Sequence, residues 1–246
     1  MKAPPEAQLT LLELADTDAE LARLEHRRRT LPEVAECERL EARGAGLRDE
    51  SATVEALESD LKRELAKAER DVEQVRTRVD RDQARLDAGQ VSSPRELENL
   101  QSEIASLAKR QSELEDVVLE VMERAEEAAG RHRALAEEQA ALDGTHAEAV
   151  KRRDAALAEI AGLEAAAKEQ RSGVASGVPA DLLTLYDKLR AQHGVGAAAL
   201  SRGRCEGCHL ALNTVDLGNI RAAAPDEVLR CEECRRILVR TPESGL

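Results

Sequence analysis

From Leu97 to Leu163 one set of positions recurs at spacings of alternately three and four, through Leu100, Ile104, Leu107, Gln111, Leu114, Val118, Val121, Ala125, Ala128, His132, Leu135, Gln139, Leu142, His146, Ala149, Arg153, Ala156 and Ile160. A seven-residue period drifts around a straight helix by about 20° per heptad, so it stays on a partner only if two helices supercoil left-handedly. That argues against one compact core. Composition agrees, because the 246 residues include no Phe or Trp and a single Tyr, Tyr186, and rings normally supply much of a large core. The expected fold class is mainly α: a long kinked antiparallel coiled-coil hairpin followed by a small C-terminal module.

The seam begins behind Ser93-Pro94-Arg95-Glu96, with Ser at N-cap, Pro at the first helical position and Glu at the third, a capping box. Upstream, Val54, Leu57, Leu61, Leu65, Ala68, Val72, Val75, Val79 and Leu86 form a second seam. Residues 87–93 are left as the turn, and a short turn between long amphipathic helices makes an antiparallel hairpin. Folding back there pairs Val75 with Leu107, Leu61 with Val121 and Leu47 with Leu135. Leu12, Leu21, Leu24 and Leu31 supply a short third seam opposite 150–170. Pro32, Gly44 and Gly46 are expected to kink the first arm over 32–46. The polar seam members His132, Gln139 and His146 face about Glu50, Arg43 and Glu36/Cys37. They read as a hydrated stretch that fixes register, since a second metal site from Cys37, His146 and Glu36 lacks two-residue ligand spacing.

The hairpin is expected to occupy residues 1–170, with a linker and short helix over 171–200. Residues 171–179 contain Gly and Pro without apolar period and read as a flexible joint. Leu182, Leu185, Tyr186 and Leu189 form the apolar face of a short helix ended by Gly194, with Tyr186 as packing.

Cys205-Glu206-Gly207-Cys208 and Cys231-Glu232-Glu233-Cys234 are separated by 22 residues. Two such turns aim four thiolates at one point and complete a tetrahedral shell, which points to one structural zinc ion held by Cys205, Cys208, Cys231 and Cys234 in a ribbon over 201–246. A thiol redox pair or an iron site is the lesser alternative. Residues 228–230 and 237–240 read as short strands, and Asn213 or Thr214 as the cap of a helical turn through Ile220.

The formal net charge is −13, and the excess lies before residue 181, so the helical part repels nucleic acid on average. No run approaches the roughly 20 apolar residues of a membrane span. The start, Met1-Lys2-Ala3-Pro4-Pro5, has no apolar signal core, which gives a cytoplasmic expectation.

The hairpin, the restart from Ser93 to Ile104, the Tyr-containing helix from Leu182 to Arg190, and the cysteine pairs followed by Arg236-Ile237-Leu238 together resemble the bacterial C4-type zinc-ribbon, coiled-coil family. Arg235 follows Cys234 where Gly is frequent. The resemblance implies a non-enzymatic adaptor; in some flagellated bacteria and chlamydiae such proteins are associated with the nitrogen-type alternative sigma factor, with flagellar or secretion components, or with RNA.

The residues themselves contain no Gly-rich phosphate loop, His-Glu-x-x-His or nucleophile elbow. The leading expectation is an adaptor or scaffold for a protein partner, transcription- or secretion-related, bound through coiled coil and ribbon, with no membrane and no small-molecule substrate. The alternative is nucleic-acid binding by the ribbon through Arg202, Arg204, Arg230, Arg235, Arg236 and Arg240, and a redox-switched zinc chaperone is a third, weaker idea.

Overall fold

The computed structural model describes all 246 residues. Its elements are α1 (Pro5–Arg29), α2 (Pro32–Asp87), α3 (Pro94–Ser176), α4 (Ala180–His193), β1 (Ala197–Ser201), β2 (Arg204–Cys205), α5 (Thr214–Ala222), β3 (Leu229–Arg230) and β4 (Ile237–Arg240). They form two compact units, one of Ala35–Val150 and one of Met1–Val34 with Lys151–Leu246. No helix is long and apolar enough to cross a membrane.

The unit 35–150 is a helical hairpin. Leu61 packs with Val121 and Ala128, Leu47 and Val54 with Leu135, and Cys37 and Leu40 with Ala149, so the heptad register holds. Its turn is a Schellman motif: Gly89 takes φ 63°, its N–H donates to Leu86 O (3.1 Å), and Gln90 N–H donates to Arg85 O (3.2 Å). Only glycine adopts that φ without a Cβ penalty. At the restart Ser93 Oγ accepts from Glu96 N–H (3.3 Å), while the Glu96 carboxylate accepts from Ser92 N–H (3.2 Å). The capping box is thus closed one residue upstream of its usual partner.

Arg43–Glu138, Arg78–Glu103 and Arg85–Glu96 pair across the arms in the apolar register, whereas other cross-arm polar pairs are offset from it. His132 Nδ1 lies 3.2 Å from Glu58 Oε2, His146 Nε2 lies 3.3 Å from Glu41 Oε1, and Arg124 reaches Glu64 at 3.4 Å. The expected neighbours were Glu50 for His132 and Glu36/Cys37 for His146. Side chains on a helix lean toward its N-terminus, so in an antiparallel pair long side chains meet when their Cα atoms are displaced along the axes.

The first arm breaks at Thr30–Leu31, and α2 then runs without interruption through Gly44 and Gly46. Pro32 lacks an N–H and disfavours helical backbone at the residue before it, so the expected interruption at Pro32 falls just before the proline, whereas Gly44 and Gly46 do not interrupt α2. A Cβ at Gly46 would meet nothing within 4 Å; the glycine is simply a weak helical residue.

In the other unit, Leu24 and Leu31 pack on Ile160. Residues 171–176 belong to α3 and are not the flexible joint expected there, because Arg171 is pinned by two carboxylates and Val174 and Ala175 pack against the core. The sheet order is β2-β1-β4-β3, with β1 parallel to β4 and the outer pairs antiparallel. Alternation divides it: Ala197, Ile237 and Val239 face a core with Leu11, Leu14, Leu182 and Tyr186, whereas Ala198, Leu200 and Leu238 face Ile220, Cys205 and Cys231. The chain start also joins the ribbon, since Ala3 N–H donates to Asp226 O (2.7 Å) and Val228 N–H to Met1 O (3.1 Å). Helix α5 is capped by Asn213, whose side chain accepts from Asp216 N–H at 2.8 Å.

Candidate metal centre and its supports

The Sγ atoms of Cys205, Cys208, Cys231 and Cys234 all lie within 4.8 Å of one another, with Cys205–Cys234 at 3.8 Å and Cys208–Cys231 at 3.9 Å. A tetrahedron of zinc–sulfur bonds near 2.3 Å has edges of about 3.8 Å, so the donor set fits zinc in both chemistry and spacing. The two turns are built alike. Gly207 and Cys208 aim backbone N–H groups at Cys205 Sγ, and Glu233 and Cys234 do the same at Cys231. Burial pushes the Cys205 thiol up to about 12 against the pull of those amides, and raises Cys231 as well. A cation at the centre of the four sulfurs would favour their charged form against that burial.

Each turn ends on a residue with left-handed backbone, His209 (φ 60°) and Arg235 (φ 61°), whose N–H donates to the carbonyl of the first cysteine, at 2.7 and 2.9 Å respectively. That geometry accounts for Gly being frequent where Arg235 stands. In the first turn the glycine is obligatory for another reason: a Cβ at Gly207 would lie 2.8 Å from Ala198 Cβ and 3.0 Å from Arg236 Cδ.

The six arginines named from the sequence separate into two groups. Arg236 donates to Val195 O (3.1 Å), Gly207 O (2.9 Å) and His193 O (3.0 Å), clamping the first cysteine turn to the end of α4. Arg240 donates to Ala223 O (3.0 Å), Ala224 O (2.6 Å) and Pro225 O (3.0 Å), closing the segment after α5. Each of these two guanidiniums thus holds several backbone carbonyls of the ribbon and its flank. Arg202, Arg204, Arg230 and Arg235 are exposed. Of these, Arg204 holds His209 O (2.8 Å), Arg230 holds Arg235 O (3.0 Å) and Arg235 reaches Glu232 (3.4 Å). Cys37 is buried among Leu40 and Ala149, and the only cluster of metal-donor side chains is the four-cysteine one.

The sheet's other face rests on a polar hub that sequence reasoning missed. The fully buried Asp18 carboxylate accepts from Arg171 Nε (2.7 Å), Arg190 Nε (2.9 Å) and the Tyr186 hydroxyl (2.7 Å), and Arg171 also reaches Asp187 at 2.7 Å. Burial, and then donation to Asp18, push the Tyr186 hydroxyl well above its ordinary value. Gly196 makes room for the ring, since a Cβ there would lie 2.8 Å from it. The available signal was Asp18 itself, a charge at the next place of the apolar stripe Leu11, Leu14, Ala15.

Residues 14–194 match the CT398-like coiled coil hairpin domain, and residues 204–238 match the C4-type zinc ribbon domain. A protein of Mycobacterium tuberculosis is 38% identical over 240 residues, covering 98% of each chain. A solved structure from Mycobacterium smegmatis superposes with a TM-score of 0.85 at 35% identity, over 98% of this chain and 100% of that one. CT398 from Chlamydia trachomatis shares the fold, with a TM-score of 0.72 at 18% identity over 96% and 98% of the two chains. A coiled-coil hairpin joined to a C4 ribbon fits a non-catalytic structural or scaffold protein. The chain therefore belongs to the family of CT398-like coiled-coil hairpin proteins that end in a C4-type zinc ribbon.

Proposed function

We propose that the chain is a non-enzymatic cytoplasmic adaptor for a protein partner, with one structural zinc ion bound by Cys205, Cys208, Cys231 and Cys234. The observation that carries this reading is the double use of one small sheet. One face joins the cysteine cluster and the other joins the core of α1 and α4. Four thiolates fill a tetrahedral shell and leave no position for a water or substrate, so the ion's work is to fix a surface. That surface includes Val215 and Leu210, 69% and 51% exposed on the ribbon. Cysteines gathered for metal suit a reducing compartment.

Crosslinked capture from the native host, comparing wild type with Cys208→Ser/Cys234→Ser, tests the reading. A partner held by wild type and lost by the variant is expected, and no partner with wild type would defeat the adaptor role. One zinc per purified chain is expected by elemental analysis, and none or two would defeat the metal assignment.

Nucleic-acid binding by the ribbon is the second reading, favoured by the exposure of Arg202, Arg204, Arg230 and Arg235. It is the weaker one because Arg204, Arg230, Arg236 and Arg240 all donate to backbone carbonyls and Glu232 pairs with Arg235. Salt-sensitive RNA or DNA binding lost in Arg202→Glu/Arg204→Glu would promote it.

A further inference from the structure

On the hairpin unit the exposed Leu119 and Met122 lie beside the half-buried Val72 and Val118. Val118 and Leu119 of α3 and Val72 of α2, with Glu69 and Glu115 at the edges, line a shallow depression of about 320 Å³. Leu119 is 58% exposed, and Met122, three residues on, is 40% exposed. Glu115, Leu119, Met122 and Glu126 follow the spacing of one helical stripe, beside the inward-facing seam of Val121 and Ala128.

The charge around this patch has one sign. From Glu113 to Glu127 the helix carries seven carboxylates and one basic residue, Arg124, and that arginine turns to Glu64. Glu69, Glu123 and Glu126 enter no ion pair within the chain. Single exposed apolar residues are ordinary, but neighbouring ones beside a groove and edged by unpaired carboxylates have the form of a helix-in-groove site. Its complement is a helix with an apolar stripe between Lys or Arg residues. A second copy of the same arm is a poor occupant, because it would set carboxylates against carboxylates, and nucleic acid is repelled for the same reason.

We propose that the face formed by Val72, Val118, Leu119 and Met122 is a docking surface for a basic amphipathic helix of a partner protein. The proposal rests on the adaptor reading and specifies the chemistry of its partner.

The test titrates the full-length protein with a fluorescein-labelled model peptide of Leu and Lys that forms an amphipathic helix, and with its Leu and Glu counterpart. The Leu/Lys peptide is expected to bind, several-fold more weakly as salt rises from about 0.05 to about 0.5 M. Leu119→Ser/Met122→Ser retains every carboxylate and, with both positions exposed, its helicity; it is expected to bind about tenfold more weakly or worse. Equal binding by that variant would mark mere attraction to an acidic chain and overturn the proposal, as would equal binding of the Leu/Glu peptide or none of either. Self-association of wild type that disappears in the serine variant would assign the face to a second copy and also overturn it. Failure of the peptide while the crosslinked partner is still captured removes this surface and leaves the adaptor reading standing.

Discussion

The hydroxyl of Tyr186 donates to the carboxylate of Asp18 at 2.7 Å, tying α4 to α1 inside a core that also takes in β1 and β4. Because Arg171 and Arg190 converge on the same carboxylate, its removal leaves two guanidiniums facing each other and a buried hydroxyl without an acceptor. Asp18→Ala is expected to cost about 3 kcal/mol of stability, Asp18→Asn somewhat less, and Tyr186→Phe about 1 kcal/mol, since the carboxylate keeps both arginines. Denaturant unfolding followed by circular dichroism ranks them. A Tyr186→Phe loss as large as that of Asp18→Ala would contradict the hub.

The same contact sets an alkaline limit. The folded state holds the Tyr186 proton more tightly than the unfolded chain does, whose tyrosine titrates near 10. The contribution is therefore complete below about pH 10 and declines as pH rises above it. With no other tyrosine in the chain, tyrosinate absorbance is expected to appear only together with unfolding. A tyrosinate signal with ordinary midpoint in still-folded protein would refute this.

Zinc removal is expected to reach beyond the ribbon. Leu238 packs with the cysteines, and its neighbours Ile237 and Val239 pack with Leu11, Leu14 and Tyr186, so loss of the ribbon loosens the tyrosine's surroundings. A chelator, or Cys208→Ser, is expected to abolish the near-ultraviolet dichroism of Tyr186 while most far-ultraviolet helical signal persists, because the hairpin's own clusters lie within 35–150. An unchanged tyrosine signal after metal loss, or collapse of helicity, would count against this coupling.

What could be read in advance was what is encoded locally. The Ser93-Pro94 restart, the heptad positions and strands near Leu229 and Ile237 each depend on a few neighbouring residues. Strand β1 was illegible because Ala197-Ala198-Ala199-Leu200 consists of helix formers and is held extended by pairing with β4 and β2. The partners of Asp18 were illegible for a related reason: they lie more than 150 residues away. The helicity of 171–176 was missed because Gly173 suggested a break, although a Cβ there would meet nothing within 4 Å and Arg171 supplies the restraint. The split among the arginines is likewise tertiary, since Arg236 and Arg240 find their carbonyls across the ribbon.

The left-handed backbone at Arg235 gives a prediction of opposite sign. An L-residue there costs roughly 1–2 kcal/mol that glycine does not, offset in part by the greater unfolded-state entropy of glycine. Its bond to Glu232 is exposed and adds little. Arg235→Gly is expected to stabilise the zinc-bound ribbon by up to about 1 kcal/mol, and Arg235→Val to destabilise it. Amide hydrogen exchange at Ile237 and Leu238 measures both, and slower exchange in the valine variant would contradict the assigned turn.

Gly46 offers the simplest check that α2 is an uninterrupted helix through the first arm. It sits inside a 56-residue helix with open space where a Cβ would stand, so it contributes only backbone entropy lost on folding. Gly46→Ala is expected to stabilise the hairpin by about 0.5–1 kcal/mol. Gly44→Ala should gain less, because its Cβ would touch Leu142 and Gln139 at 3.6 Å and Arg48 at 3.4 Å, contacts that fit but that ask the arginine to shift. Thermal unfolding of residues 35–150 within the full chain reads both. A kink that needed glycine would make both alanine variants less stable than wild type, Gly46→Ala included.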